Sequence, residues 1–117
     1  AGVEHIGRGT AQRVDALLIV TDANLKALEI AKHIHDLAAK AGMKHIFLVG
    51  NRIMNSAHEE VIKSFAEQNG IRLLAFVPFD QKIIEAEMRG ETPLRHKDYV
   101  AVQAIDNICE TLAKKNI

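Results

Sequence analysis

The stretch KHIFLVGNR, residues 44–52, constrains the fold more than any other part of this chain. Its apolar run lacks the alternation of a half-exposed strand, so it reads as a strand covered on both faces. Helical segments stand before and after it. Beyond each helix lies another apolar run of strand length, DALLIVT at residues 15–21 and IRLLAFV at residues 71–77. Strand–helix–strand–helix–strand with right-handed crossovers makes a parallel sheet. In such a sheet ligands bind in the crevice beyond the carboxyl ends of the strands, where Asn51 and Arg52 stand.

The helices are legible from their caps and stripes. Thr21, Asp22 and Asn24 supply capping side chains for a helix with Leu28, Ala31, Ile34, Ala38 and Ala41 on one face and Gly42 as its stop. Ser56-Ala57-His58-Glu59 has the S-x-x-E form of a capping box. It predicts a helix with Ala57, Val61, Ile62, Phe65 and Ala66 buried, ended by Asn69-Gly70. Asp80 caps a short helix carrying Ile83, Ile84 and Met88 up to Gly90, and a last helix over residues 97–115 spaces Val102, Ile105, Cys109 and Leu112 along one stripe. Residues 1–13, with three glycines, read as a loop running into a short helix near Gly9-Thr10. The expected fold is α/β, a three-stranded parallel sheet in sequence order forming one unit over residues 1–117. Both crossover helices then lie on one face, and the final helix, with or without the N-terminal one, covers the other.

Composition narrows the function. Fifteen acidic and fifteen basic residues cancel, so nothing argues for electrostatic binding to nucleic acid or an anionic membrane. No apolar run approaches the roughly 20 residues that cross a bilayer, and no signal-peptide pattern opens the chain. These features fit a cytoplasmic protein. A single cysteine excludes a disulfide framework or a multi-cysteine metal site within one chain. The chain opens without methionine on a polar, glycine-rich segment, which reads as part of something longer.

Three strand ends fall on one edge of the sheet: Thr21-Asp22, Gly50-Asn51-Arg52 and Pro78-Phe79-Asp80. Each has a purely structural explanation, since Asp22 and Asp80 can cap helices and Asn51 can turn the chain. Together they suggest more. An Asn amide offers one donor and one acceptor in a fixed plane, suited to the amino group and N7 of adenine. A Pro-Phe corner beside it makes an apolar wall for a flat ring.

Other motifs fail on inspection. Gly2 to Gly7 has phosphate-loop spacing, but Arg8 and Gly9 stand where Lys and Ser/Thr should follow, and no strand precedes it. His58-Glu59 begins a zinc-protease pattern, but Ile62 occupies the second histidine's place. His33 and His35 point to different faces of a helix. Cys109 lies on an apolar stripe and reads as core. No catalytic residue is assigned and no metal ligand set is found.

The opening residues Ala1-Gly2-Val3-Glu4-His5-Ile6-Gly7-Arg8-Gly9 resemble a segment of the CooC-type ATPases, which belong with the MinD/ParA and nitrogenase iron-protein class of P-loop ATPases. There the pattern D-x-E-A-G-x-E-H-x-G-R-G follows the switch II Asp. The endings V-G-N-R and V-P-F-D match the places where that class contacts the base. The resemblance covers the whole chain but only the second half of the family's sequence. It implies an ATP-binding protein, with Mg²⁺ as cofactor of the full-length form, acting as a homodimer to support nickel insertion into carbon monoxide dehydrogenase. It further implies base contacts from Asn51, Arg52, Pro78, Phe79 and Asp80, and switch movement of Ala1, Gly2, Glu4 and His5. The family's phosphate loop, switch I, switch II Asp and Cys-x-Cys pair match no residue here.

Two alternatives remain at this level: a MinD/ParA-like partitioning or regulatory ATPase, and a free-standing, non-catalytic α/β binding module. One structural expectation follows from the strand reading. The edge of the first strand, residues 15–21, lacks a neighbour and should pair with another chain.

Overall fold

The computed structural model describes residues 2–6, 16–92 and 96–114. The elements run β1 (Gly2–Ile6), β2 (Ala16–Thr21), α1 (Leu25–Lys40), β3 (His45–Ile53), α2 (Ser56–Asn69), β4 (Arg72–Pro78), α3 (Gln81–Met88) and α4 (Val100–Lys114). The sheet order is β1-β2-β3-β4. β2, β3 and β4 are parallel, as their apolar runs predict.

Two-sided burial explains why those runs do not alternate. Leu17 and Ile19 of β2 and Ile46 and Leu48 of β3 pack on one face with Leu28 and Ala31 of α1 and Ile62 and Ala66 of α2. Their neighbours Ala16, Leu18, Phe47 and Val49 pack on the other with Ala101, Ile108 and Leu112 of α4. Each fully buried Leu or Ile side chain contributes roughly 1.5–3 kcal/mol, so this sandwich of helices around β2 and β3 supplies most of the fold's driving force.

Three sequence expectations need correction. Residues 2–6 form a strand instead of a loop, antiparallel to β2 from Gly2↔Val20 to Ile6↔Ala16. An apolar strand leaves a row of backbone groups unpaired at its edge, and this short segment satisfies them. The edge expected to be open at residues 15–21 is therefore covered, and β4 is the outer strand on the opposite side. The short helix expected near Gly9-Thr10 lies outside the described residues.

The second correction concerns α2. Its N-cap is Asn55, whose Oδ1 accepts from the His58 backbone N–H at 2.9 Å. Ser56 is already the first helical residue, so the Ser56–Glu59 box does not form. His58 reciprocates instead, its Nδ1 accepting from the Met54 N–H at 3.2 Å. By contrast α1 ends as expected. Gly42 (φ 91°) lets its N–H reach the Ala39 carbonyl and that of Met43 reach the Ala38 carbonyl, the paired bonds of a Schellman stop.

The third is the width of the buried stripes. Val61 is 45% exposed, and Ala57 and Cys109 also face outward. α4 turns Ala101, Ile108 and Leu112 to the sheet, while Val102 packs with Ala86 and Tyr99. That rotation leaves Cys109 off the core.

Gly50 marks where β3 passes closest to its neighbours. A Cβ there would sit 2.7 Å from Phe76 Cδ1 and 2.8 Å from Ile62 Cδ1. Gly50→Ala is expected to destabilise the protein by about 1–3 kcal/mol through overpacking, read as a lowered urea midpoint. An unchanged midpoint would show that Phe76 and Ile62 yield freely.

Candidate functional site

The carboxyl end of the sheet opens where β3 leaves regular pairing. The β3–β4 register runs Gly50↔Phe76 and then Ile53↔Pro78, so β3 carries one residue more than β4 between them. This is a bulge at Asn51-Arg52. Arg52 takes φ 51°, the one non-glycine among the described residues with positive φ. Such a conformation costs about 1–3 kcal/mol. The ladder resumes at once, the Phe79 N–H donating to the Ile53 carbonyl at 2.9 Å.

The extra residue resets which face each side chain meets. Gly50 approaches Ile62 of α2, and Asn51 faces the α3–α4 side. Strict alternation would send Ile53 to the α4 side as well. Instead Ile53 is 8% exposed within the α1–α2 core. Burying that side chain stabilises by roughly 1.5–3 kcal/mol, enough to offset the strain at Arg52.

Arg52 reaches sideways to the end of β2. Its Nε donates to Asp22 Oδ1 at 3.0 Å, and its Nη2 donates to Oδ2 of the same carboxylate. Asp22 does not cap α1; Asn24 holds that place, its Oδ1 accepting from the Ala27 N–H at 2.8 Å. The hydrogen bonds and charge of Arg52 hold the Asp22 carboxyl below its ordinary pKa, against a smaller opposing effect of burial.

Asn51 and Arg52 line a cavity of about 320 Å³ with Pro78, Phe79 and Asp80 from the end of β4. Its remaining wall is Val77, Ile83, Ile84 and Glu87, with Ala101 and Ile105 of α4. All five residues singled out at these strand ends thus meet around one space. The volume lies at the lower end of the roughly 300–1,000 Å³ usual for small-molecule pockets. Asp80 has a second task. Its Oδ1 accepts from the Lys82 N–H at 2.9 Å and its Oδ2 from the Ala101 N–H at 3.3 Å, so one carboxylate caps α3 and ties α4 beside it. The α4 contributors Ala101 and Ile105 escaped sequence reasoning. Their four-residue spacing marks a helix face but not which space that face lines.

The other expected group does not join them. Gly2 stands opposite Val20, near the carboxyl edge, while Glu4 and His5 stand opposite Leu18 and Leu17 along β2. Two strands, β2 and β3, separate those positions from β4. Ala1 is outside the described residues. Among the described residues no group of three or more His, Cys, Asp or Glu could hold a metal ion.

The Asp22–Arg52 pair generates a stability prediction. Arg52 is 64% exposed, so solvent screening limits the pair to roughly 0.5–1 kcal/mol, and Asp22→Asn is expected to cost that much at neutral pH. Because the folded pKa of Asp22 is lowered, the contribution is full above the carboxyl's ordinary pKa and fades as pH falls through the folded value. Urea unfolding of both proteins against pH checks this; a difference that grows toward acid would contradict it.

Comparison with known proteins shows the family of this chain. A 34% identical relative over 114 residues is an uncharacterized ATP-binding protein of Methanocaldococcus jannaschii, covering 97% of this chain and 44% of its own length. The carbon monoxide dehydrogenase accessory protein CooC of Rhodospirillum rubrum is 37% identical over 90 residues, 77% of this chain and 34% of that protein. The MinD cell division protein of Aquifex aeolicus shares the fold at TM-score 0.71 and 18% identity, over 86% of this chain and 44% of MinD. The chain therefore spans less than half the length of these relatives. The profile of the 4Fe-4S iron sulfur cluster binding proteins, NifH/frxC family, matches residues 5–117. A 4Fe-4S cluster takes four cysteine thiolates, and the one cysteine here, Cys109, is exposed on α4, so these residues do not by themselves supply a full ligand set. With nearly its whole length matched, the chain belongs to the NifH/frxC family.

Proposed function

We propose that the cavity at the ends of β3 and β4 is the base side of an adenine-nucleotide site, and that the full-length protein is a CooC-like ATPase. The observation that carries this reading is the convergence of the Asn51 amide, the Pro78-Phe79 corner and the apolar Ile83, Ile84 and Ile105 side chains on one space. A planar donor–acceptor pair beside apolar walls suits a flat heterocycle with an amino group next to a ring nitrogen. The names of the M. jannaschii and R. rubrum relatives, one ATP-binding and one an accessory protein for carbon monoxide dehydrogenase, support it. Nickel insertion into that enzyme, a homodimeric working form, Mg²⁺ with the phosphates and a cytoplasmic setting complete the reading. Among the described residues no helix is long and apolar enough to cross a membrane.

ATP turnover requires a lysine-bearing phosphate cradle and metal ligands, and none of the 117 residues forms that loop motif. The chain of residues 1–117 alone is expected to show no magnesium-dependent ATP hydrolysis above buffer. Turnover that persisted through further purification would overturn this division of labour.

Asn51 is the residue on which base recognition rests. Removing a bidentate Asn–adenine contact costs about 1–3 kcal/mol, roughly a five- to 150-fold loss of affinity. Guanine presents two acceptors where the amide offers one donor and one acceptor, so the site should reject GTP. In the full-length protein Asn51→Ala is expected to weaken ATP binding within that range and narrow the preference over GTP, measured by calorimetric titration. Unchanged affinity and preference in a folded variant would return Asn51 to the role of a turn residue.

A further inference from the structure

The bulge in β3 raises a question that the cavity alone does not answer, namely what keeps the Asn51 amide in place. Among the described residues no hydrogen bond of the Asn51 side chain is found, although it lines the cavity and is half-buried. Its two chain neighbours are both unusual. Gly50 is pressed against Phe76 and Ile62, and Arg52 holds a left-handed backbone. β2–β3 pairing ends at Thr21↔Gly50, so beyond that point the strand ends are joined by the two hydrogen bonds from Arg52 to Asp22. Thr21, just before Asp22, is fully buried. Asp22 therefore sits on a rigid base, and Arg52 is anchored to it.

We propose that Asp22 and Arg52 are a positioning pair: by tying the β3 bulge to the end of β2, they fix the backbone from which Asn51 presents its amide to the cavity. The planar guanidinium suits this task because its two parallel bonds set direction as well as distance. A lysine would supply the charge without that fork. The pair commits the Arg52 guanidinium to Asp22 even though the residue lines the cavity. The role goes beyond stability, because an exposed ion pair adds little to folding yet can still determine where a neighbouring side chain points.

The inference rests on the nucleotide reading only for the identity of the ligand, and two readouts keep the claims separable. The first needs no ligand. In the full-length protein, NMR of the Asn51 side-chain amide should show an ordered group in the native protein and an averaged, mobile one in Asp22→Asn. Arg52→Gly, which accepts the same backbone angle while deleting the pair, should behave likewise, so a fold-wide effect of one variant does not decide the result. The second readout is ATP affinity by calorimetry. Asp22→Asn and Arg52→Gly should each weaken ATP binding at least about threefold, as coupled neighbours do, with Arg52→Lys intermediate. In an Asn51→Ala background Asp22→Asn should cause no further loss, an outcome that a merely structural role would not produce. An Asn51 amide equally ordered in all variants overturns the positioning role. An amide that loses order while ATP affinity stays unchanged in every variant, Asn51→Ala included, supports the positioning role and overturns the nucleotide reading instead.

Discussion

Two strands buried on both faces set the terms for everything else in this chain. β2 and β3 send alternate side chains into two separate cores, one under α1 and α2 and one under α4. A one-residue slip would exchange the two sets and put every side chain against the wrong partners. The β3–β4 pairing shifts register between Leu48 and Val49 and again between Gly50 and Ile53, at the end of the strand. It is there that β3 carries its extra residue, where the cores stop and polar groups emerge.

The bulge links fold and site. It lets Ile53 rejoin the α1–α2 core after Asn51 has faced the cavity, at the expense of a strained Arg52. Burial of Ile53 is large enough to hold that strain, and the Asp22–Arg52 pair directs it. Asp80 performs a parallel service on the far wall, one carboxylate capping α3 and holding α4 alongside. The cavity is thus bounded by elements each fixed for reasons of folding, with Asn51, the Pro78-Phe79 corner and the Ile83, Ile84 and Ile105 side chains lining it.

The three parallel strands and the sheet faces covered by α1, α2 and α4 were legible in the sequence, because continuous Leu, Ile and Val runs and helical spacing report burial directly. The convergence of Asn51, Arg52 and Pro78-Phe79-Asp80 followed from topology. What could not be read were choices between near-equal local options. Asn55 and Ser56 can each cap α2, and the earlier one wins by bonding with His58. Arg52 gives no sign of a left-handed backbone, since that position is usually marked by glycine or asparagine. GVEHI has little strand character of its own and pairs because β2 offers it an edge. Cys109 missed the core through a small rotation of α4 that spacing alone does not determine.

The central claim is that the cavity at the β3–β4 end receives the adenine of a nucleotide. Chemical-shift mapping of the full-length protein titrated with ATP tests this most directly. The account predicts the largest changes at the Asn51 side-chain amide, the Phe79 ring and the Ile83, Ile84 and Ile105 methyl groups, with much smaller changes there when GTP replaces ATP. Saturable ATP binding that left those groups unmoved, or moved them equally with GTP, would contradict it.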